Sequence, residues 1–242
     1  MSQPSTRWLL QEPSPGDPLL FCFPYAGAGA SSLRRWPSRI ADIQVVPVQL
    51  PGREHRIREE PYRDFDTFAR DAVDALSPYL DRPYAAIGHC MGALLAHAFT
   101  VRAQELGLRL PDRLFVSASL VPYRGFYGIY HPWMSDRRIA QEMQRVAGNL
   151  GEGELPAELV ALSAGIVRRD VEMCLGYLPP LQAVKVPITV IGWQEDVDVG
   201  PDDLAEWSEY GDVRTSILPG EPLTFLAAPS GLRKVIEDDF EY

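Results

Sequence analysis

Gly88-His89-Cys90-Met91-Gly92 is the segment of this 242-residue chain whose residue types and spacing most clearly promise chemistry. It follows a short apolar run at 84–87 and precedes a helical pattern at 93–104, the strand–turn–helix setting in which a nucleophile stands on a tight bend. There the middle residue takes a strained backbone conformation, and the flanking glycines let strand and helix approach closely. Cys90 is thereby expected at the positive end of a helix, which lowers a thiol's pKa and favours the thiolate. The backbone N–H of Met91 points into the same space as one half of an oxyanion hole. A bare G-x-C-x-G pattern also arises by chance around a buried cysteine; its placement between a strand and a long helix is what gives it weight. Cys22 and Cys174 lie in apolar surroundings and read as small core residues. Three widely spaced cysteines with no CxxC pair suggest neither a disulfide framework nor a zinc site.

The elements that must position Cys90 alternate along the chain. Strands are expected at 18–23, 44–49, 84–87, 113–119, 187–191 and 214–218, with helices at 65–80, 91–106 and 232–240. Such alternation implies an α/β fold with a mostly parallel sheet covered on both faces. The interval 121–180 breaks the pattern with amphipathic helical stretches at 135–147 and 155–178. It reads as an insertion forming a lid over the strand ends, where open α/β sheets bind ligands; plain cover for the sheet is the alternative. Tyr123, Phe126, Tyr127, Tyr130 and Trp133 in this interval either pack a core or line an apolar or aromatic acyl pocket. No internal repeat or low-complexity linker divides the chain, so 1–242 reads as one domain.

A net charge of −10 argues against a nucleic-acid partner, because phosphate backbones repel such a surface. No run of 18 or more apolar residues suggests a membrane span. Residues 1–15 lack the basic start and apolar middle of a signal peptide and read as a short polar lead-in, pointing to the cytoplasm.

Several segments together resemble the type II, stand-alone thioesterases that accompany polyketide synthases and nonribosomal peptide synthetases. Phe23-Pro24-Tyr25-Ala26-Gly27, with Ser31 and Trp36, is similar to that family's first loop. Leu50-Pro51-Gly52-Arg53-Glu54 resembles its Pro-Gly-Arg signature, Gly92-Ala93-Leu94-Leu95-Ala96 continues the elbow in the family manner, and 192–207 resembles the stretch carrying its acid. The resemblance, from about Leu20 to Phe240, implies an α/β-hydrolase fold, a second oxyanion donor at the backbone of Ala26, and Asp196 as the acid. An exposed turn aspartate is the plainer reading of Asp196. It also implies an acyl or peptidyl carrier protein as partner and an acyl group delivered on the carrier's phosphopantetheine. The protein itself would need no cofactor or metal.

Two departures change the expected chemistry. Position 90 carries cysteine where the family has serine, and the family's Pro-Gly-Gly-His segment reads Pro219-Gly220-Glu221-Pro222-Leu223 here. No histidine follows His131. His89 resembles a structural residue of the family, so its ring should point away from substrate. His97 lies about 10 Å along the helix from Cys90 and reads as a hydrogen-bonded core residue. His55 is expected in solvent, and His131 reaches the site only if the lid brings it there.

Serine without a base is almost inert, whereas an ordinary thiol is a few per cent thiolate at neutral pH. Attack of Cys90 on a thioester also expels a thiolate that needs no proton donor. Hydrolysis of the acyl-enzyme is the step that suffers, since general-base help is worth ~10²–10⁴. Transfer of the acyl group to a carrier thiol, an amine or a carbanion within the substrate is therefore the expected function. Cysteine-bearing relatives that shuttle aminoacyl groups or close rings by Dieckmann condensation are the family precedents. Slower hydrolysis is the alternative enzyme reading, and a non-catalytic carrier- or acyl-binding protein the alternative of another class.

Overall fold

The structure, a computed structural model, describes residues 7–125, 130–131, 133–149 and 153–240. Seven strands form one sheet in the order β2-β3-β1-β4-β5-β6-β7: β1 (Leu19–Phe23), β2 (Arg39–Ile40), β3 (Ile43–Pro47), β4 (Tyr84–His89), β5 (Arg113–Ser117), β6 (Ile188–Trp193) and β7 (Val213–Leu218). Only the short β2 runs antiparallel to its neighbour; every other pair is parallel. The mostly parallel sheet is thus as the alternation implies, and β2, two residues long, carries too little pattern to be read from sequence.

Both faces of the central strands are buried, and successive residues feed opposite cores, as the period-two pleat requires. Leu19, Phe21 and Phe23 of β1 and Ala86 of β4 join one core with α1 (Phe65–Leu76) and α2 (Met91–Glu105). Leu20, Cys22, Ala85 and Ile87 join the other, against Leu232 and Ile236 of α6 (Ser230–Asp239). α1 is shorter than the expected 65–80. Its first turn is capped by Asp64, whose carboxylate accepts from the Thr67 N–H at 2.7 Å. Its end comes where Pro78, which has no N–H to offer the ladder, redirects the chain into a tighter turn.

The interval 121–180 holds α3 (Asp136–Asn149) and α4 (Ala157–Leu175) between β5 and β6. The two helices share a small apolar cluster of their own, built on Tyr130, Ile139, Ala164, Val167 and Val171. α5 (Pro201–Ala205) follows β6.

The N-terminal segment departs from the polar lead-in expected of it. Leu9 bridges Val48 in antiparallel fashion, Trp8 and Leu9 are buried, and the Arg56 guanidinium lies 5.1 Å from the centre of the Trp8 ring. Three consecutive apolar residues, Trp8, Leu9 and Leu10, give no periodicity to detect, yet the first two suffice to pin a strand edge.

Candidate active site

β1 lies between β3 and β4, so chain segments leaving its carboxyl end and that of β4 diverge from a topological switch point. Cys90 makes the turn between β4 and α2 by itself, at φ 54° and ψ −122°, a left-handed excursion unusual for a residue with a Cβ. The fold holds that conformation from both sides. The Cys90 N–H donates to the Ser117 carbonyl of β5 at 2.9 Å, and the Cys90 carbonyl accepts from Ala93 N–H in the first turn of α2. A Cβ on Gly88 would stand 1.9 Å from the Gly92 carbonyl group, and one on Gly92 would stand 2.3 Å from the Phe23 oxygen. The sequence pattern around Cys90 is thus a packing requirement.

The backbone N–H groups of Met91 and Ala26 both lie close enough to the Cys90 sulfur to favour its thiolate. This is the pair of donors that sequence reasoning assigned to the oxyanion hole. The loop carrying Ala26 is tied down by residues far away in sequence. Asp170 of α4 accepts from Gly27 N–H at 2.7 Å, and both its oxygens take the Arg53 fork at 2.7 and 2.8 Å. Arg53 also donates to the Ala28 carbonyl at 3.0 Å. Both partners are almost fully buried, so the pair is a fixed strut between α4, the Pro-Gly-Arg segment and the oxyanion loop. Asp170→Ala should leave a buried guanidinium unpaired and cost about 3–5 kcal/mol in urea unfolding. The double variant Arg53→Met/Asp170→Leu should recover most of that loss. A loss under about 1 kcal/mol for Asp170→Ala would mean that water reaches Arg53 freely.

Cys90 opens into a cavity shared with Ala26, Tyr130, Val146, Asp196, Asp198 and Leu223. A larger groove continues from it along α3 and α4, with Tyr25, Ala26, Tyr130 and Val146 lining both. Of the sequence-assigned residues, Cys90, Ala26 and Asp196 line the cavity and Met91 stands at its edge through its N–H. His131 is not among the lining residues; its ring stacks on Trp133 at 4.9 Å. Pro222 and Leu223 do line it. Asp198, missed in the sequence, lines it too; an exposed acid among acids offers no signal. Of the aromatic residues considered for an acyl pocket, Tyr130 is buried in the lining. Tyr123 instead donates to Glu206 at 3.2 Å, and Trp133 is 73% exposed. Phe126 and Tyr127 lie outside the described residues.

The two buried histidines are poor bases. His89 lines the cavity, but its Nδ1 pairs with Ser117 Oγ at 3.1 Å and its ring stacks on Phe225 at 4.8 Å. Burial pushes it down to about 3. His97, paired with the Tyr177 hydroxyl at 2.9 Å, is pushed down to about 4 for the same reason. His55 is exposed.

The thiol itself departs from expectation. The helix end was to lower its pKa, yet burial pushes it up to about 12, with the carboxylates of Asp196 and Asp198 adding to the rise. The N–H groups of Met91 and Ala26 offset only part of this. A helix terminus and two amides are outweighed when the shell around a half-buried sulfur is protein and the nearest charges are negative. The consequence is measurable by alkylation. Burial drives Cys22 and Cys174 up as well, and both are fully enclosed. Iodoacetamide should therefore label Cys90 first, but more slowly than a free thiol. The rate should climb about tenfold per pH unit from pH 7 to 10 without levelling, because below its pKa the thiolate fraction rises in that proportion. Faster labelling of Cys22 or Cys174 in peptide maps, or a plateau near pH 8, would contradict this account.

Comparison with known proteins bears on this site. A thioesterase domain family model matches residues 18–239. Linear gramicidin dehydrogenase LgrE of Brevibacillus parabrevis is 28% identical, over 98% of this chain and 93% of its own length. Among solved structures, the type II thioesterase BorB from the borrelidin biosynthetic cluster superposes with a TM-score of 0.84 at 27% identity, covering 97% of this chain and 98% of its own. RedJ, a thioesterase from the prodiginine pathway of Streptomyces coelicolor, gives 0.77 at 30% identity, over 95% and 94%.

Proposed function

The chain belongs to the thioesterase domain family, with an α/β-hydrolase type of fold, and we propose that it carries acyl groups through an acyl-Cys90 intermediate and delivers them to an acceptor other than water. Its relatives include type II thioesterases of polyketide and nonribosomal peptide pathways, which supports a carrier-bound thioester as the substrate. The non-catalytic binding reading falls away with membership of an enzyme family whose nucleophile turn is intact here.

One observation carries the preference for transfer. The cavity joins Cys90, the Ala26 loop and Asp196, while Pro222 and Leu223 occupy the wall where the resemblance places a histidine. In the first step the Cys90 sulfur attacks the thioester carbonyl, the carbonyl oxygen is held by the N–H groups of Ala26 and Met91, and the carrier sulfur leaves. The thiol proton ends on the departing sulfur, so no separate acid is needed. In the second step water would need a base, and neither His89 nor His97 is basic enough at neutral pH. A carrier thiol, an amine or a carbanion needs less help. Hydrolysis keeps one support, the Asp196 carboxylate in the same cavity.

The test is incubation with acyl-loaded carrier protein followed by intact mass spectrometry. Accumulation of an acyl adduct on Cys90 is expected. Free acid formed without any adduct would favour hydrolysis, and neither product would overturn the reading.

No helix among the described residues is long and apolar enough to cross a membrane.

A further inference from the structure

Tyr130 packs its ring among Ile139, Ala164, Val167 and Val171 of α3 and α4, and only 6% of the residue is exposed. Its hydroxyl makes no hydrogen bond to any described residue, yet the oxygen is not sealed in protein. The residue lines both the cavity of Cys90 and the groove along α3 and α4. It stands close enough to Cys90 for a thiolate there to oppose ionisation of the hydroxyl. A buried hydroxyl without a partner costs free energy, so one kept where two cavities meet is placed for a group that passes through. The other polar side chains of the cavity offer little to such a group: His89 is engaged with Ser117, and the carboxylates of Asp196 and Asp198 only accept. Tyr130 brings an O–H donor.

A thioester under attack develops negative charge at two atoms. The carbonyl oxygen is met by the N–H groups of Ala26 and Met91, and the departing sulfur needs a donor of its own. We propose that Tyr130 is a catalytic residue whose hydroxyl donates a hydrogen bond to the departing carrier sulfur. This rests on the acyl-Cys90 reading and adds a group to its first step. With the acyl chain in the cavity and the pantetheine arm in the groove, the scissile C–S bond spans the junction that Tyr130 shares with Tyr25, Ala26 and Val146. The Cys90 sulfur bonds to the carbonyl carbon and the bond to the carrier sulfur breaks. That sulfur leaves with the electron pair and takes up the proton that Cys90 released. Tyr130 keeps its own proton, because burial and the neighbouring Tyr25 and Cys90 push its pKa above the ordinary phenol range. It is a donor rather than an acid. Among apolar walls a developing thiolate gains more from such a bond than it would in water. In reverse, the same bond steadies the thiolate of an acceptor carrier attacking acyl-Cys90, so it serves transfer as well as loading.

The test compares wild type with Tyr130→Phe, which keeps the ring in its apolar cluster and removes only the hydroxyl. Two probes share one acyl group and differ in the leaving thiol: hexanoyl-pantetheine and S-phenyl thiohexanoate. Rates of Cys90 acylation are followed by intact mass. Tyr130→Phe should slow acylation by hexanoyl-pantetheine about 10- to 100-fold, the range for a hydrogen bond to a charged group. With S-phenyl thiohexanoate the loss should stay within about threefold, because the less basic thiophenolate leaves readily without a donor. The ratio of the two losses is the readout, and a fraction of misfolded variant lowers both rates without moving it. Return of the hexanoyl group from Cys90 to added pantetheine should slow by the same factor as its loading. Equal losses with the two probes would put the hydroxyl on the carbonyl oxygen or in a purely structural role. That result, or no loss with hexanoyl-pantetheine, would overturn the assignment while leaving the acyl-enzyme reading intact. Absence of any Cys90 adduct in the wild type from either thioester would overturn both.

Discussion

Cys90→Ala is expected to remove thioester processing completely, and Cys90→Ser to reduce it by at least ~10²–10⁴, the general-base contribution a hydroxyl would need and cannot find here. The reason lies in what surrounds position 90. In a serine hydrolase the hydroxyl loses its proton to an imidazole; in this cavity the nearest imidazole is His89, neutral, pushed down to about 3 and engaged with Ser117. The thiol, even pushed up to about 12, is roughly 10⁻⁵ thiolate at pH 7, and each thiolate is a strong nucleophile. Both variants should keep the fold, because the Ser117 and Ala93 backbone bonds that hold the turn do not involve the side chain. Thermal denaturation within about 1–2 kcal/mol of wild type would establish that. Loss of the Cys90 adduct in intact mass spectra, with folding retained, is the expected result. A Cys90→Ser protein working as fast as the wild type would require a base that the cavity does not display, and the reasoning from Leu223 would fail with it.

How much of this was legible in the sequence depends on the range of the interaction involved. The elbow was legible because its requirements are local: Gly88 and Gly92 are glycines owing to contacts within 2.3 Å of neighbouring backbone, and a five-residue pattern records that. The central strands were legible because burial on both faces leaves apolar runs such as Leu19–Phe23. The Arg53–Asp170 strut was half legible. Asp170 sits between Val167, Val171 and Cys174 on the buried stripe of α4, and a carboxylate on an apolar stripe demands a partner. Its partner, 117 residues earlier, is supplied by topology alone. The thiol's pKa was illegible for a like reason. The helix end that lowers it is encoded next to Cys90, whereas the burial and the Asp196 and Asp198 charges that raise it come from segments a hundred residues away.

Leu223→His is expected to convert a long-lived acyl-Cys90 into a hydrolysing one, shortening its lifetime by ~10²–10⁴. Leu223 lines the cavity with Cys90 and Asp196, so an imidazole there shares their space. Asp196 Oδ2, open in the wild type, is available to take the ring's N–H and set its tautomer, leaving the other nitrogen for water. The turn Pro222–Ala227 that carries the residue is held from outside the site, since Trp36 Nε1–H donates to the Phe225 carbonyl at 3.0 Å and the two rings pack at 5.0 Å. Pro222→His is the harsher variant, because proline opens that turn and fixes its backbone. The measurement is a chase: Cys90 is acylated, excess thioester is removed, and the adduct is followed with time. A wild-type adduct lasting minutes or longer, and a Leu223→His adduct lost within seconds with free acid released, is the expected pair of results. The rival is His131, which stacks on Trp133 away from the lining. If it swings in as the base, His131→Ala should stall a wild-type enzyme that otherwise hydrolyses quickly. Fast release of acid by the wild type, unaffected by His131→Ala, would sink both accounts. The base would then have to be a carboxylate, with Asp196 in the cavity and Glu221 beside it the two groups to substitute next.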